Sequence, residues 1–240
     1  MFDLFFFFKK ITPFSPVAYV YPKTAVFKQL RLIQGINRSW GYGEGYIETN
    51  LQTYEKVFSP NGYNAISIRR YGDLIASSYN RGKIPNSIPA DDVNLPSGYG
   101  VGQFTINPYR QRLMNLLGVK YVTVKNNLLT AKVVADTTTF PEESYKLIWQ
   151  DAPWQIYQNL NSLPRFFLAG NYIVRRNQGI INAIYNPKIK LRKTLILEQS
   201  IPVVLSKKES GAAVKLVNYS DNKVVFREKK YRCQIVVSIG

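Results

Sequence analysis

One stretch, residues 107–124, constrains the fold more than any other. Asn107 is a strong helix N-cap, and Pro108 suits the first helical position, where a missing N–H leaves nothing unpaired. Leu113, Met114, Leu116 and Leu117 then supply an apolar stripe, and Gly118 stands where a helix end turns left-handed. Val119-Lys120-Tyr121-Val122-Thr123-Val124 follows with the β-branched alternation of a strand. A helix, one glycine and a strand make an α/β unit, so the chain must bury a sheet against a helix.

The flanking sequence extends this frame. Thr24 can cap a helix over 24–33 that has Val26, Leu30 and Ile33 on one face and Gly35 at its end. A second helix is predicted over 66–78 from Ile68, Tyr71, Leu74 and Ile75, and a short one over 178–185 before Asn186-Pro187. The glycine- and tyrosine-rich run 40–46 reads as a loop or irregular strand, and 82–106 as a long surface loop. Strands are predicted over 131–135, 145–149, 154–157, 166–168, 172–174, 194–197, 203–205, 214–218 and 224–227. Asp151-Ala152-Pro153 and Ser220-Asp221-Asn222 turn two hairpins. The expectation is an α+β protein: a mixed α/β domain at 24–140, then a β-rich, sandwich-like domain at 141–240. That second part stops directly after a strand, at Gly240, and is expected to be incomplete.

Residues 1–23 form a membrane-proximal segment and connector. Pro13, Pro16 and Pro22 keep 11–23 extended. The apolar run 4–8 is followed at once by Lys9-Lys10, which leaves two readings open. It is the end of a membrane helix with the lysines at the headgroups, or an apolar strand docked into the core. No apolar run approaches the roughly 18 residues that cross a bilayer.

Two absences narrow the chemistry. The 240 residues include no histidine, which removes Ser-His-Asp and Cys-His catalysis and histidine-bearing zinc sites. Cys233 is the one cysteine, so no internal disulfide and no thiolate metal cluster can form. No Gly-Lys-Ser/Thr loop is present, and Gly41-x-Gly43-x-Gly45 and Gly98-x-Gly100-x-Gly102 lack dinucleotide spacing. Both read better as tight turns where tyrosines pack. The adjacent carboxylates Asp91-Asp92 and Glu142-Glu143 diverge, and a dyad of Glu44 or Glu48 with Asp73 has no spacing to test it. No metal, no cofactor and no catalytic residue is expected.

Charge points to a partner instead. Lys and Arg number 32 against 15 Asp and Glu, a net +17, and from Arg165 onward there are 15 against four. Such a field favours polyanions: nucleic acid, anionic lipid headgroups or phosphate-bearing glycopolymers. The charges are dispersed among strands and no common nucleic-acid motif accompanies them, so no specific nucleic-acid partner is expected. General solubility is the blander reading. Trp40, Tyr42, Tyr46 and Tyr63 lie in glycine-rich sequence with Arg38, Arg69 and Arg70 near them. Aromatic faces hold sugar rings and arginines add phosphate affinity, although core packing is the commoner fate of such rings. Trp40, Tyr42, Tyr63, Arg69 and Arg70 are the candidate contacts.

Several motifs together resemble one family. They are Trp40-Gly41-Tyr42-Gly43, Tyr54, Ser59-Pro60-Asn61-Gly62-Tyr63-Asn64, Ile68-Arg69-Arg70-Tyr71-Gly72, the run from Leu113 through Gly118 to Tyr121, Trp154-Gln155-Ile156-Tyr157-Gln158-Asn159, and Leu163-Pro164-Arg165-Phe166-Phe167-Leu168. Their order and spacing, from about Thr12 to about Ser238, are similar to the extracytoplasmic C-terminal part of YfhO-like bacterial membrane proteins. The resemblance implies a polytopic parent of the GT-C glycosyltransferase type, which moves a sugar from a lipid-linked donor to a cell-envelope glycopolymer. It places the catalytic acid in the membrane domain. It implies for this chain a cell-membrane, extracytoplasmic location, with the parent's membrane domain, the membrane surface and the glycopolymer or lipid-linked sugar as partners. The chain departs from the family's Gly-Tyr-Asp-Pro-Leu at Gly62-Tyr63-Asn64-Ala65-Ile66, where the carboxylate is lost.

Overall fold

The structure, a computed structural model, describes residues 6–8, 16, 21, 23–62, 68–86, 94–95, 107–126, 137–202, 213–220, 222–229 and 235–238. The expected strands at 131–135 and 203–205, Tyr63, Asp91-Asp92 and Gly98-x-Gly100-x-Gly102 lie outside the described residues.

The protein is α+β. Its centre is a mixed four-stranded sheet of β1 (Arg38–Tyr42), β2 (Val119–Lys125), β3 (Tyr145–Asp151) and β4 (Trp154–Asn159), in the order β1-β2-β4-β3. β1 and β2 are parallel, which requires a crossover between them. That crossover carries α2 (Thr49–Tyr54), α3 (Arg69–Tyr79) and α4 (Pro108–Leu116), while α1 (Ala25–Ile33) precedes β1. β4 runs antiparallel to both β2 and β3, and the predicted hairpin joins β3 to it. The division expected at residue 140 thus falls inside one hydrogen-bonded sheet, with two strands from each side of it.

Alternation decides which residues meet which layer. On one face Val122, Tyr157 and Trp40 pack with Ile75, Leu113, Met114 and Leu117, so α3 and α4 cover that side together with Ile181 and Ile184 of α5 (Gln178–Tyr185). On the other, Tyr121 and Ile156 pack against Val26, Phe27 and Leu30 of α1. A register shift between Arg38 and Ser39 adjusts β1 to β2.

The unit at residues 107–124 forms as its chemistry dictates. The Asn107 side chain accepts from the Arg110 N–H at 3.1 Å, Pro108 opens the helix, and Gly118 takes φ +66° before β2 begins. The run 40–46, by contrast, is a regular strand ending in a 3₁₀ turn at Gly43–Gly45. Its glycines allow close backbone approach. A Cβ on Gly45 would lie 2.3 Å from the Thr123 carbonyl oxygen, and one on Gly41 2.2 Å from that of Gly45.

Beyond the sheet, β5 (Phe166–Ala169) pairs antiparallel with β10 (Ile235–Ser238), and β8 (Ala213–Ser220) with β9 (Lys223–Lys229). β6 (Asn171–Val174) and β7 (Thr194–Leu197) are parallel, with α5 as the crossover. The region expected to be β-rich thus includes a β-α-β unit, and its described strands outside the four-stranded sheet are paired two by two. Residues 6–8 are helical, and Phe6, Phe7 and Phe8 are each more than half exposed. No helix among the described residues is long and apolar enough to cross a membrane.

Arginine holds helix ends. Arg112, on α4, donates to the carbonyls of Ile184, Asn186 and Ile189 at the C-terminus of α5. Arg38 donates to Leu117 O, the C-cap of α4, at 2.7 Å, and Arg165 donates to Ile36 O, just past α1, at 3.1 Å.

Three outcomes follow for urea unfolding. Gly45→Ala lowers stability by about 2–3 kcal/mol because the new methyl meets backbone that cannot rotate away. Gly62→Ala, which opens onto empty space, stays within about 0.5 kcal/mol of the parent. Arg112→Ala costs about 2–3 kcal/mol, since three carbonyls at one helix end lose a charged donor. An Arg112→Ala change below 0.5 kcal/mol would contradict the capping role.

Candidate functional site

Of the anticipated contact residues, Tyr63 lies outside the described residues, and Trp40 and Tyr42 lie together on β1 with ring centroids 6.1 Å apart. Trp40 is fully enclosed (0% exposed), donates from Nε1 to Leu95 O at 3.1 Å and lies under the Arg110 guanidinium at 5.2 Å. Its ring is therefore a core element that no ligand can reach, which corrects the expectation for this residue. Tyr42 is half-buried and packs edge-on against Phe140, with ring centroids 5.4 Å apart. Arg69 and Arg70 are exposed on the first turn of α3, where Arg70 pairs with Glu198 at 2.7 Å.

A concavity rich in hydrogen-bonding groups lies on other residues. A cleft of about 620 Å³ opens between α2, the segment after it, and the end of β8. Thr49, Gln52 and Thr53 come from α2, Lys56, Ser59 and Asn61 from the following segment, and Ser220 from the hairpin. Phe58 and Tyr219 add two rings, 5.5 Å apart and edge to face.

Local sequence explains the wall. α2 starts because the Glu48 carboxylate accepts from the N–H groups of Asn50 and Leu51. It ends in a turn where the Lys56 N–H donates to Thr53 O and the Val57 N–H to Gln52 O. That turn puts Lys56 at φ +56°, a left-handed conformation that a lysine adopts only at a cost. Ser59 Oγ then accepts from the Asn61 N–H, and Asn61 Oδ1 from the Leu95 N–H, fixing the second wall.

Gln52 is only 3% exposed, and its Oε1 has no hydrogen-bond donor among the described residues. Behind the aromatic wall sits Arg165, with its guanidinium carbon 5.3 Å from the Phe58 ring, 5.4 Å from Tyr219 and 5.9 Å from Phe166. Its Nε has no partner among the described residues. Burial, and then the like charge of Arg165, hold the neighbouring Arg38 guanidinium below the usual arginine range. Burial raises the Tyr71 phenol, and lowers Arg110, over Trp40, to about 10.

The described lining carries one lysine and no carboxylate. Such a surface can hold a hydroxyl-rich ring by stacking and hydrogen bonding. Among its described residues there is no carboxylate pair of the kind that cleaves one. Sequence reasoning passed over Gln52, Lys56, Phe58 and Tyr219 as contact residues. The turn sequences Ser59-Pro60-Asn61 and Ser220-Asp221-Asn222 signal two loops, but nothing in either indicates that they face each other.

No protein-family model matches the chain, and neither a curated protein nor a solved structure matches it significantly.

The left-handed residue yields a test. Lys56→Gly raises stability by about 0.5–1 kcal/mol in urea, because strain is relieved by more than the added unfolded-state entropy takes back. Lys56→Ala stays within about 0.5 kcal/mol of the parent, since alanine keeps the strain.

Proposed function

We propose that the chain is an extracytoplasmic accessory domain of a polytopic, YfhO-like glycosyltransferase of the membrane, and that it holds the glycan rather than reacting with it. The ligand is an anionic cell-envelope glycopolymer or a lipid-linked sugar, and the cleft between α2 and β8 receives one of its rings. The observation that carries this reading is the lining: hydroxyls and amides of Thr49, Gln52, Ser59 and Asn61 facing two aromatic rings, with Lys56 as the cation. Sugar rings use that combination, apolar faces against aromatics and hydroxyls against short polar side chains. The motif resemblance adds the membrane parent. The three exposed phenyl rings of Phe6, Phe7 and Phe8 are what a bilayer interface or a membrane domain would cover.

Those same rings suit a second reading, a structural module that only packs on a membrane domain and binds no glycan. Calorimetric titration of the purified chain with glucosylated glycerol-phosphate oligomers separates the two. Glycan holding predicts saturable binding that Lys56→Ala weakens about fivefold and Gln52→Leu about tenfold. Arg69→Ala with Arg70→Ala leaves it unchanged, because neither residue lines the cleft. Failure of the parent chain to bind at millimolar oligomer would leave the packing module standing alone.

A further inference from the structure

A second concavity, of about 570 Å³, lies between α1 and α2, on residues outside the first cleft. Its lining joins Lys23, Thr24, Lys28 and Arg31, from the start and body of α1, to Tyr54 and Glu55 at the end of α2, with Tyr21 beside them. Elsewhere the basic residues are dispersed; here three cations border one hollow.

The charge in the hollow is only partly balanced. Glu55, 5% exposed, pairs with Arg31, so one cation is matched and Lys23 and Lys28 are left to solvent. The helix start adds to them. Thr24 occupies the N-cap position of α1 without a side-chain cap, its buried Oγ1 has no partner among the described residues, and the first turn holds no acidic residue. The free N–H groups there are therefore unopposed by any carboxylate of their own helix. Above this basic floor, Tyr21 and Tyr54 stack face to face, with centroids 3.9 Å apart and planes at 16°. They are 44% and 56% exposed, so the outer faces of the pair remain open.

We infer that this hollow is a binding site for the phosphate ester of a sugar, the phosphate lying against Lys23 and Lys28 and the ring against the tyrosine pair. Two unmatched ammonium groups beside an uncapped helix start suit a compact dianion, and an exposed aromatic stack suits the apolar face of a ring. The inference stands on its own residues and does not depend on the cleft between α2 and β8.

The test titrates the full chain with three probes: glucose 1-phosphate, inorganic phosphate and glucose. Glucose 1-phosphate is expected to bind about tenfold more tightly than phosphate, with glucose weaker still, and to weaken as salt rises. Lys23→Gln with Lys28→Gln lowers glucose 1-phosphate affinity about five- to tenfold and flattens its salt dependence. Tyr54→Ser removes the advantage over phosphate while phosphate binding persists. Arg69→Ala with Arg70→Ala, at residues that line neither concavity, changes none of these values. Both lysines are exposed, and circular dichroism melts establish that the variants fold. Equal affinity for glucose 1-phosphate and phosphate, or affinity untouched by the double lysine substitution in a folded variant, overturns the proposal.

Discussion

Guanidinium groups bonded to backbone carbonyls hold this structure together where other proteins use ion pairs. With 32 cations against 15 acids, most basic side chains have no carboxylate available. Among the described residues the ion pairs are Arg31–Glu55 and Arg70–Glu198. Arg38, Arg112 and Arg165 turn instead to the C-terminal carbonyls of α4 and α5 and to the carbonyl just beyond α1. The Leu117 and Ile184 oxygens lie at the C-terminal ends of α4 and α5, at the negative end of the helix dipole, so a planar, charged donor suits them. Arg38 ties β1 to the end of α4, Arg112 ties α4 to α5, and Arg165 reaches the carbonyl just beyond α1 from far along the chain. Part of the positive charge that reads as an advertisement for a polyanion is thus consumed internally.

What the sequence made legible divides along the range of the interaction. The unit at 107–124, α1, α5, the β3–β4 hairpin and β8–β9 are specified by neighbours: Asn107 and Pro108, Gly35 and Gly118, Asn186-Pro187 and the turn at Ser220. α2 escaped because Thr-Asn-Leu-Gln-Thr-Tyr has no apolar stripe; its start comes from the Glu48 carboxylate. β1 read as irregular because its glycines were credited to loop formation. They serve close backbone approach instead, Gly41 to the turn that follows β1 and Gly45 in that turn to β2, and Trp40, a candidate contact in the sequence, is buried with the strand. The candidate site was illegible for the same reason. Lys56 and Tyr219 meet only because the chain returns along β8, and no local spacing announces it.

The short helix α2 ties the two concavities together. Thr49, Gln52 and Thr53 border the cleft with neutral donors and acceptors, whereas Tyr54 and Glu55 border the basic hollow. Its C-terminal turn is where Lys56 holds its left-handed backbone. That strain persists because Thr53 O and Gln52 O each accept a bond across the turn and Val57 is buried in the core beneath α1. A glycine at position 56 would make the same turn at lower cost. Keeping a lysine there makes sense when its ammonium is needed at the cleft.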